Sequence, residues 1–442
     1  MSADLKALHA KHVLSPWLPQ GGYAAPVIVR GEGSYLFDAD GKKYLDLGSG
    51  LIAVNLGHGH PKVVKAIQDQ AATLCYVAPG LFNDKRAELA AELSSLSPWT
   101  GEGCRAFFTT AGADANDDAV RIARAITGRT KVLAAYRSFH GSSGGAIMLT
   151  GEDRRWSGEP GPPGVVRFFA PFPYRSPFHT TNAAEECARA IEHLERILIH
   201  ENPKHVAAIL IEPVVGSNGV IVYPEGYLAA LRALTEKHGI LLIADEVMTG
   251  FGRCGAAFAV QRFGVVPDLI TFAKGVSSAY VPLGGVLVRE KYATTFDARM
   301  LPNGHTYSGH PLSAAAGLAT IRAYKEEKIF EGVSAIEEQL RTGLGALADK
   351  HRTIGDVRGV GAFFAVELVK DRTTKEPLVP WQGEQGLGIM KSLYGELRSR
   401  GVYTFGKYNC IMVAPPLTAK PDEIAGGLAA LDESLTAFES TL

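Results

Sequence analysis

Three apolar runs in this chain stop on residues that could do chemistry. Ile240-Leu241-Leu242-Ile243-Ala244 ends on Asp245-Glu246-Val247, Thr271-Phe272-Ala273 ends on Lys274-Gly275, and Val206–Ile211 ends on Glu212-Pro213. In an open α/β sheet ligands bind beyond the carboxyl ends of the strands, so Asp245, Lys274 and Glu212 can face one crevice. A lysine amine converging there with carboxylates suits carbonyl chemistry through a Schiff base. The same residues would serve equally as a structural Asp–Lys ion pair, and Glu212 as a strand-end carboxylate capping its next turn.

A fourth run suits an anion. Arg105–Thr109 leads through Thr110-Ala111-Gly112-Ala113 into a helix beginning near Asp114. That arrangement offers free backbone N–H groups at a helix N-terminus, and the small residues let a phosphate approach. It is also what any tight βα turn with a glycine looks like. It matches neither GxxxxGK[ST] nor GxGxxG, which speaks against a P-loop or a dinucleotide fingerprint.

The elements that must position these residues alternate in type. Ala106–Thr109, Lys131–Ala135, Val206–Ile211, Ile240–Ala244, Leu269–Ala273 and Gly285–Val288 read as strands. Asp114–Ile126, Asn182–His200 and Glu225–His238 carry apolar residues at helical spacing between them, the pattern of a parallel sheet covered by helices. Tight turns around Gly31-Glu32-Gly33 and Asp38-Ala39-Asp40-Gly41 predict short antiparallel strands near Val27–Val29 and Tyr35–Phe37. Trp156–Phe178, crowded with Gly and Pro, reads as a long irregular loop. A long helical stretch from about Ser313 to Lys350 precedes strands at Phe363–Leu368 and Ile411–Val413.

Bulk properties narrow the partners. With 442 residues, 46% of them hydrophobic and 21% charged, the chain can fill two cores and is neither disordered nor fibrous. Lys+Arg 45 against Asp+Glu 46 leaves a formal charge of -1. No pull toward nucleic acid or an anionic membrane is therefore expected. The 5 cysteines contain no CxxC pair, which predicts neither a disulfide framework nor a cysteine–zinc site and fits a reducing cytoplasm. No run reaches the ~18 apolar residues of a membrane span, and Met1–His12 has no continuous signal-peptide core.

In company these segments resemble the class III pyridoxal-phosphate aminotransferases, the group of the omega-amino-acid:pyruvate, taurine:pyruvate, 4-aminobutyrate and ornithine enzymes. The resemblance runs along nearly the whole chain. It is carried by Tyr44-Leu45-Asp46, Gly57-His58-Gly59-His60-Pro61, Phe107-Phe108-Thr109 with Gly112, Phe139-His140-Gly141, Ile211-Glu212-Pro213 and Asp245-Glu246-Val247. It continues through Gly250-Phe251-Gly252-Arg253, Phe272-Ala273-Lys274-Gly275, His305-Thr306-Tyr307-Ser308-Gly309-His310-Pro311 and Pro415-Pro416-Leu417. It implies an α/β protein of fold type I, with a large domain over 51–325 and a small α+β domain from 1–50 and 326–442. It also implies pyridoxal 5'-phosphate as cofactor and a homodimer, or a tetramer.

Roles follow from the resemblance residue by residue. Lys274 matches the lysine that holds the cofactor as a Schiff base and shuttles a proton between substrate carbon and cofactor C4′. Asp245 matches the carboxylate on the pyridine nitrogen, whose charge makes the ring an electron sink. Phe139 and Val247 match the residues stacked on the two ring faces, although each alone would be read as core. Gly112 and Ala113 match the phosphate cup, His140 and Gly141 its neighbours beside Phe139, and Thr306 the threonine that reaches the phosphate from the other subunit. Glu212 matches a glutamate at the inner edge of the site. Ala111-Gly112-Ala113-Asp114 departs from the common Ser-Gly-Ser-Glu, so a serine hydroxyl is missing and backbone N–H groups, with Thr109 or Thr110, must suffice.

Substrate contacts are expected at three places. Trp17 stands where relatives carry an aromatic residue near the entrance, or is simply packed. Ile52 replaces a tryptophan of several omega-aminotransferases, which predicts a wider pocket wall. Lys407 is the nearest cation to the place of a carboxylate-binding arginine ahead of Pro415-Pro416-Leu417; a solvated loop lysine is the bland alternative. Pairs such as His58 with His60 or His305 with His310 lack a third ligand, so loop roles are expected and no metal. The expected activity is transfer of an amino group from an omega-amine or omega-amino acid to a 2-oxo acid, pyruvate first among them, by a ping-pong mechanism. A same-fold aminomutase, decarboxylase or 2-oxoglutarate-dependent aminotransferase would use the same Lys274 and Asp245. A non-catalytic cofactor-sensing module is disfavoured by the absence of a helix-turn-helix region.

Overall fold

The strands that end on the charged residues are neighbours in one seven-stranded sheet. The computed structural model describes residues 2–17, 19–21, 25–381 and 387–442. Its central strands are β1 (Cys104–Thr109), β2 (Lys131–Ala135), β3 (Val165–Phe168), β4 (Val206–Ile211), β5 (Leu241–Asp245), β6 (Leu269–Phe272) and β7 (Gly284–Arg289). They lie in the order β1-β7-β6-β5-β4-β2-β3. β7 is antiparallel to both of its neighbours, and every other pair is parallel. Every residue of β4 and β5 is buried, which explains their unbroken apolar runs: helices cover both faces.

Register brings the polar ends level. Asp245 pairs with Thr271 across β5–β6, and Ala244 with Ile211 across β5–β4. Glu212, Asp245 and the turn that begins at Lys274 therefore lie along one edge. β1 runs in the same direction as these strands, because two antiparallel pairings separate it from β6. Its last residue, Thr109, opposite Gly284, adds the helix Gly112–Thr127 to that edge.

Away from this sheet, Ile28–Glu32, Tyr35–Asp38 and Lys43–Asp46 form an antiparallel meander, and Val402–Tyr403 joins it in parallel beside Lys43–Asp46. Phe363–Asp371 is flanked by Ile354–Val360 and Cys410–Val413. One hydrophobic cluster unites Leu45 and Leu47 with side chains from Val333 to Phe438. Among the described residues no helix is long and apolar enough to cross a membrane.

Three expectations need correction. The stretch Trp156–Phe178 is not all loop: Val165–Phe168 is the edge strand β3, whose four residues were obscured by Pro160-Gly161-Pro162-Pro163-Gly164 on one side. The helical run around 313–350 is two helices, Pro311–Glu326 and Ile329–Lys350, parted where Lys328 takes a left-handed φ of 53°. The strand expected at Ile240–Ala244 sits one residue later, so Asp245 is itself paired in the sheet.

Arg253 ties distant segments together. Fully buried, it donates to the carbonyls of Ala362 (2.9 Å) and Pro415 (2.6 Å), to Ser49 Oγ (3.2 Å) and to Asn55 Oδ1 (2.7 Å). Burial pushes its pKa down to about 10. Replacing it with an apolar side chain strands several buried acceptors, each costing on the order of 1–3 kcal/mol. Arg253→Met is expected to lower the unfolding free energy by about 3 kcal/mol or more, read as a drop in the urea midpoint.

Candidate active site

Asp245 is the centre of the site's polar contacts. Its Oδ2 accepts from Asn116 Nδ2 at 2.8 Å and lies 2.7 Å from His140 Nδ1. Its Oδ1 accepts from the Val247 N–H at 3.1 Å. With a carboxylate as acceptor, His140 carries its proton on Nδ1, and its buried Nε2 has no partner among the described residues. The Asn116 amide also donates to the His140 carbonyl at 2.7 Å and accepts from Thr271 Oγ1 at 2.7 Å. The carboxylate thus gathers the helix Gly112–Thr127, the segment after β2 and the strand β6 around itself.

Lys274 opens the turn after β6 in a left-handed conformation, φ 48°, a strained geometry for a residue with a side chain. Burial drives its amine pKa down from 10.5 to about 8; the charges of Asp245 and Glu212 oppose the drop, and Arg154 adds to it. Glu212 accepts from the N–H groups of Phe139 (2.9 Å) and Gly216 (2.8 Å). Burial, with the neighbouring Asp245 charge, raises its pKa to about 7, against a lowering by His140.

These groups face a cavity of about 520 Å³, a volume suited to a small cofactor with a substrate. Trp17, Gly112, Ala113, Phe139, His140, Gly141, Glu212, Asp245, Val247 and Lys274 all line it, with the hydroxyl residues Thr110, Ser142 and Ser277. The anion end is closely packed. A Cβ on Gly112 would lie 2.7 Å from Val247 Cγ1, and Gly141, at φ 134°, packs its backbone against Ala113. The first turn of the helix has no side-chain cap, and Thr110 Oγ1 turns instead to Asp114, 2.8 Å away.

Two expected substrate contacts lie away from the cavity. Ile52 is buried among Val214, Val220 and Met412, and its neighbour Ala53 lines the cavity in its place. Lys407 does not line the cavity and is no solvated lysine: it pairs with Glu152 and, at 2.7 Å, with Asp153. Thr306 is exposed on a loop, where its carbonyl accepts from Tyr76 Oη at 3.0 Å. Trp17 sits half-exposed, with its ring edge-on to Phe139 at 6.3 Å.

Sequence reasoning missed Asn116, Thr271 and Arg154. Asn116 falls one helical turn after Gly112 on the buried face, a polar residue in an apolar stripe, and that could have flagged it. Thr271 pairs with Asp245 and is the only hydroxyl within β6. Arg154 lies in the short 3-10 helix Asp153–Gly158, whose position no periodicity discloses. Its guanidinium lies 3.6 Å over the Phe139 ring and 5.2 Å from that of Trp17, and its buried Nη2 has no partner among the described residues.

A fold of this order with a lysine amine and a buried carboxylate facing one cavity suits carbonyl and amine chemistry. Residues 20–435 match the family Aminotransferase class-III. The 5-aminovalerate aminotransferase of Pseudomonas aeruginosa is 37% identical over 94% of this chain and 95% of its own length. The taurine–pyruvate aminotransferase of Bilophila wadsworthia is 32% identical over 99% and 98%. The solved structure of taurine:2-oxoglutarate aminotransferase from Bifidobacterium kashiwanohense, in complex with pyridoxal phosphate and glutamate, superposes with a TM-score of 0.96. It is 39% identical, covering 100% of this chain and 99% of that one. The chain belongs to the class-III aminotransferases, pyridoxal-phosphate-dependent transaminases of fold type I.

The lowered Lys274 pKa has a direct readout. In cofactor-free protein, labelling of Lys274 by an amine-selective reagent is expected to rise with a midpoint near pH 8 rather than 10.5, followed by peptide mapping. Asp245→Asn removes a charge that holds the proton on, so the midpoint should move to lower pH.

Proposed function

We propose that this transaminase moves the amino group of an omega-amine or omega-amino acid to a 2-oxo acid, with pyruvate as acceptor, in two half-reactions. The donor leaves as an aldehyde or ketone before the 2-oxo acid enters and leaves as an amino acid. The observation that carries this reading is one cavity holding the Lys274 amine, the Asp245 carboxylate and an uncapped helix end.

The residues present fit pyridoxal phosphate. The Gly112 and Ala113 N–H groups would take the phosphate, with Thr110, Ser142 or Ser277 supplying the hydroxyl that Ala113 lacks. Phe139 and Val247 would bracket the ring. Asp245, fixed by His140 and Asn116, would hold a proton on the ring nitrogen. When bound, the cofactor supplies an aldehyde that takes up the donor's amine and a ring that spreads negative charge left on carbon.

The chain's own proton carrier is Lys274 Nζ. A pKa near 8 leaves a useful fraction of neutral amine at physiological pH, able to take the proton from the donor's amine-bearing carbon and give it back in the transfer. Glu212, buried next to it with a pKa near 7, can answer the change of charge on Lys274 by gaining or losing its own proton. Arg154, whose guanidinium lies against the cavity-lining rings of Phe139 and Trp17 with Nη2 unpartnered among the described residues, would meet the carboxylate or sulfonate at the far end of a substrate.

A second copy would complete the site. Leu81, Phe82, Met300 and Tyr307 are exposed near Thr306, an apolar patch of the kind a partner subunit covers. Thr306 would then reach the phosphate bound by the partner. The hydrophobic cluster that unites Leu45 and Leu47 with 333–438 supports a small domain built from both ends of the chain, 1–50 and 326–442, beside a large domain 51–325. Five free cysteines fit a reducing cytoplasm.

A donor panel with pyruvate and 2-oxoglutarate in competition should yield alanine in excess over glutamate; glutamate in excess would reassign the acceptor. Lys274→Ala should lose turnover by several orders of magnitude and fail to bleach when donor is added. Arg154→Gln should raise KM for an omega-amino acid about tenfold or more, the worth of one charge-assisted hydrogen bond.

A further inference from the structure

One buried carboxylate takes no part in the site described above. Asp118 lies on the helix Gly112–Thr127, only 1% exposed, further along from the residues that form the anion end. Its partners belong to the segment that carries Thr306. Oδ1 accepts from Asn303 Nδ2 at 2.9 Å, and Oδ2 lies 2.5 Å from His305 Nε2. The same Asn303 amide reaches the Asp118 carbonyl at 3.2 Å. Arg121, the other charged neighbour, is 4.0 Å away and largely exposed. A carboxylate this deeply buried needs donors, so a loop that left it would strand a charge.

The loop needs the carboxylate in turn. Residues 303–305 belong to no helix or strand, and their hold comes from Asp118 and from the Phe107 ring, whose centroid is 6.0 Å from that of His305. Beyond Thr306, Ser308 Oγ donates to the Phe108 carbonyl at 2.7 Å and Arg86 Nε to the Gly309 carbonyl at 2.9 Å. Thr306 thus stands exposed on a short span pinned at both ends.

We propose that Asp118, through Asn303 and His305, is a positioning residue for the neighbouring subunit's cofactor site: it sets the place from which Thr306 meets the partner's phosphate. One helix thereby serves two sites. Its N-terminus takes the phosphate of its own subunit, and its Asp118 fixes the hydroxyl offered to the other. The inference rests on the reading of Thr306 as the contact across the dimer.

The test pairs two differently tagged chains in one dimer loaded with pyridoxal phosphate and follows cofactor release. Lys274→Ala in one chain silences that chain's site, so the visible band reports only the other. With Asp118→Ala and Lys274→Ala in the same chain, the reporting site takes Thr306 from the altered loop. It should release cofactor about tenfold faster than a dimer carrying Lys274→Ala alone, the worth of one charge-assisted hydrogen bond. With the two substitutions in opposite chains, the reporting site takes Thr306 from an intact loop, and release should stay within about twofold. His305→Phe keeps a ring beside Phe107 while removing the donor, and should reproduce both results even where Asp118→Ala does not fold. Equal release in the two arrangements, or faster release with the substitutions in opposite chains, confines Asp118 to its own subunit and overturns the proposal. Thr306→Ala placed with Lys274→Ala in one chain is the control. Release no faster than with Lys274→Ala alone overturns the reading of Thr306 and the proposal with it. Faster release with Thr306→Ala, but not with Asp118→Ala or His305→Phe, overturns the proposal alone.

Discussion

A carboxylate that ends a fully buried strand must be met by donors, and that requirement organises this molecule. Asp245 is nearly inaccessible, and isolating its charge from water would cost far more than a fold can spare. Asn116, His140 and the Val247 N–H meet it. Each donor belongs to a segment with another duty. Asn116 orients the helix whose first residues form the anion end, and His140 fixes the segment that carries Phe139 and Gly141. Val247, whose N–H closes the turn, offers its side chain to the cavity. Meeting one charge thereby sets the relative positions of the anion end, the ring-facing side chains and the strand edge.

Close packing does the remaining positioning. Gly112 lies against Val247 and Gly141 against Ala113, so a side chain at either would push the helix end away from the segment behind it. Lys274 is held in a conformation that side chains seldom adopt, within a turn stabilised by the Ser277 and Ala279 N–H groups donating to its carbonyl. The strain is tolerated because β6 and residues 275–278 of the following turn are buried. Low dielectric then does two things together: it lowers the Lys274 pKa to about 8 and raises that of Glu212 to about 7, bringing close together groups that would otherwise sit at opposite ends of the pH scale.

Much of this was legible in the sequence because buried parallel strands write themselves as continuous apolar runs, and a polar residue at the end of such a run is conspicuous. Asp245, Lys274 and Glu212 were found that way. β3 was not, since an edge strand of four residues just after a Gly-Pro cluster carries no periodic signal. The break at Lys328 was equally silent: a single left-handed residue without glycine leaves helical spacing intact on both sides. Asn116 and Thr271 were legible in principle, as polar residues on faces that register and helical phase turn inward. Arg154 was not, because nothing local ties a short 3-10 helix to the ring of Phe139.

Lys407 shows how the partners of a charged loop residue stay hidden in the sequence. Its segment does approach the site, but counting along the chain could not show that Glu152 and Asp153 would arrive there too and occupy the charge. The division of labour between the two cations follows from their shapes. A guanidinium offers several donors in a plane, so Arg154 can stack on Phe139, hold Glu152 by Nε and still keep Nη2 free. An ammonium is a compact charge that suits a fixed place between two carboxylates. With Arg154 on one oxygen and Lys407 on the other, the buried Glu152 carboxylate is matched on both sides. A lysine in the position of Arg154 would have to abandon one partner to reach another.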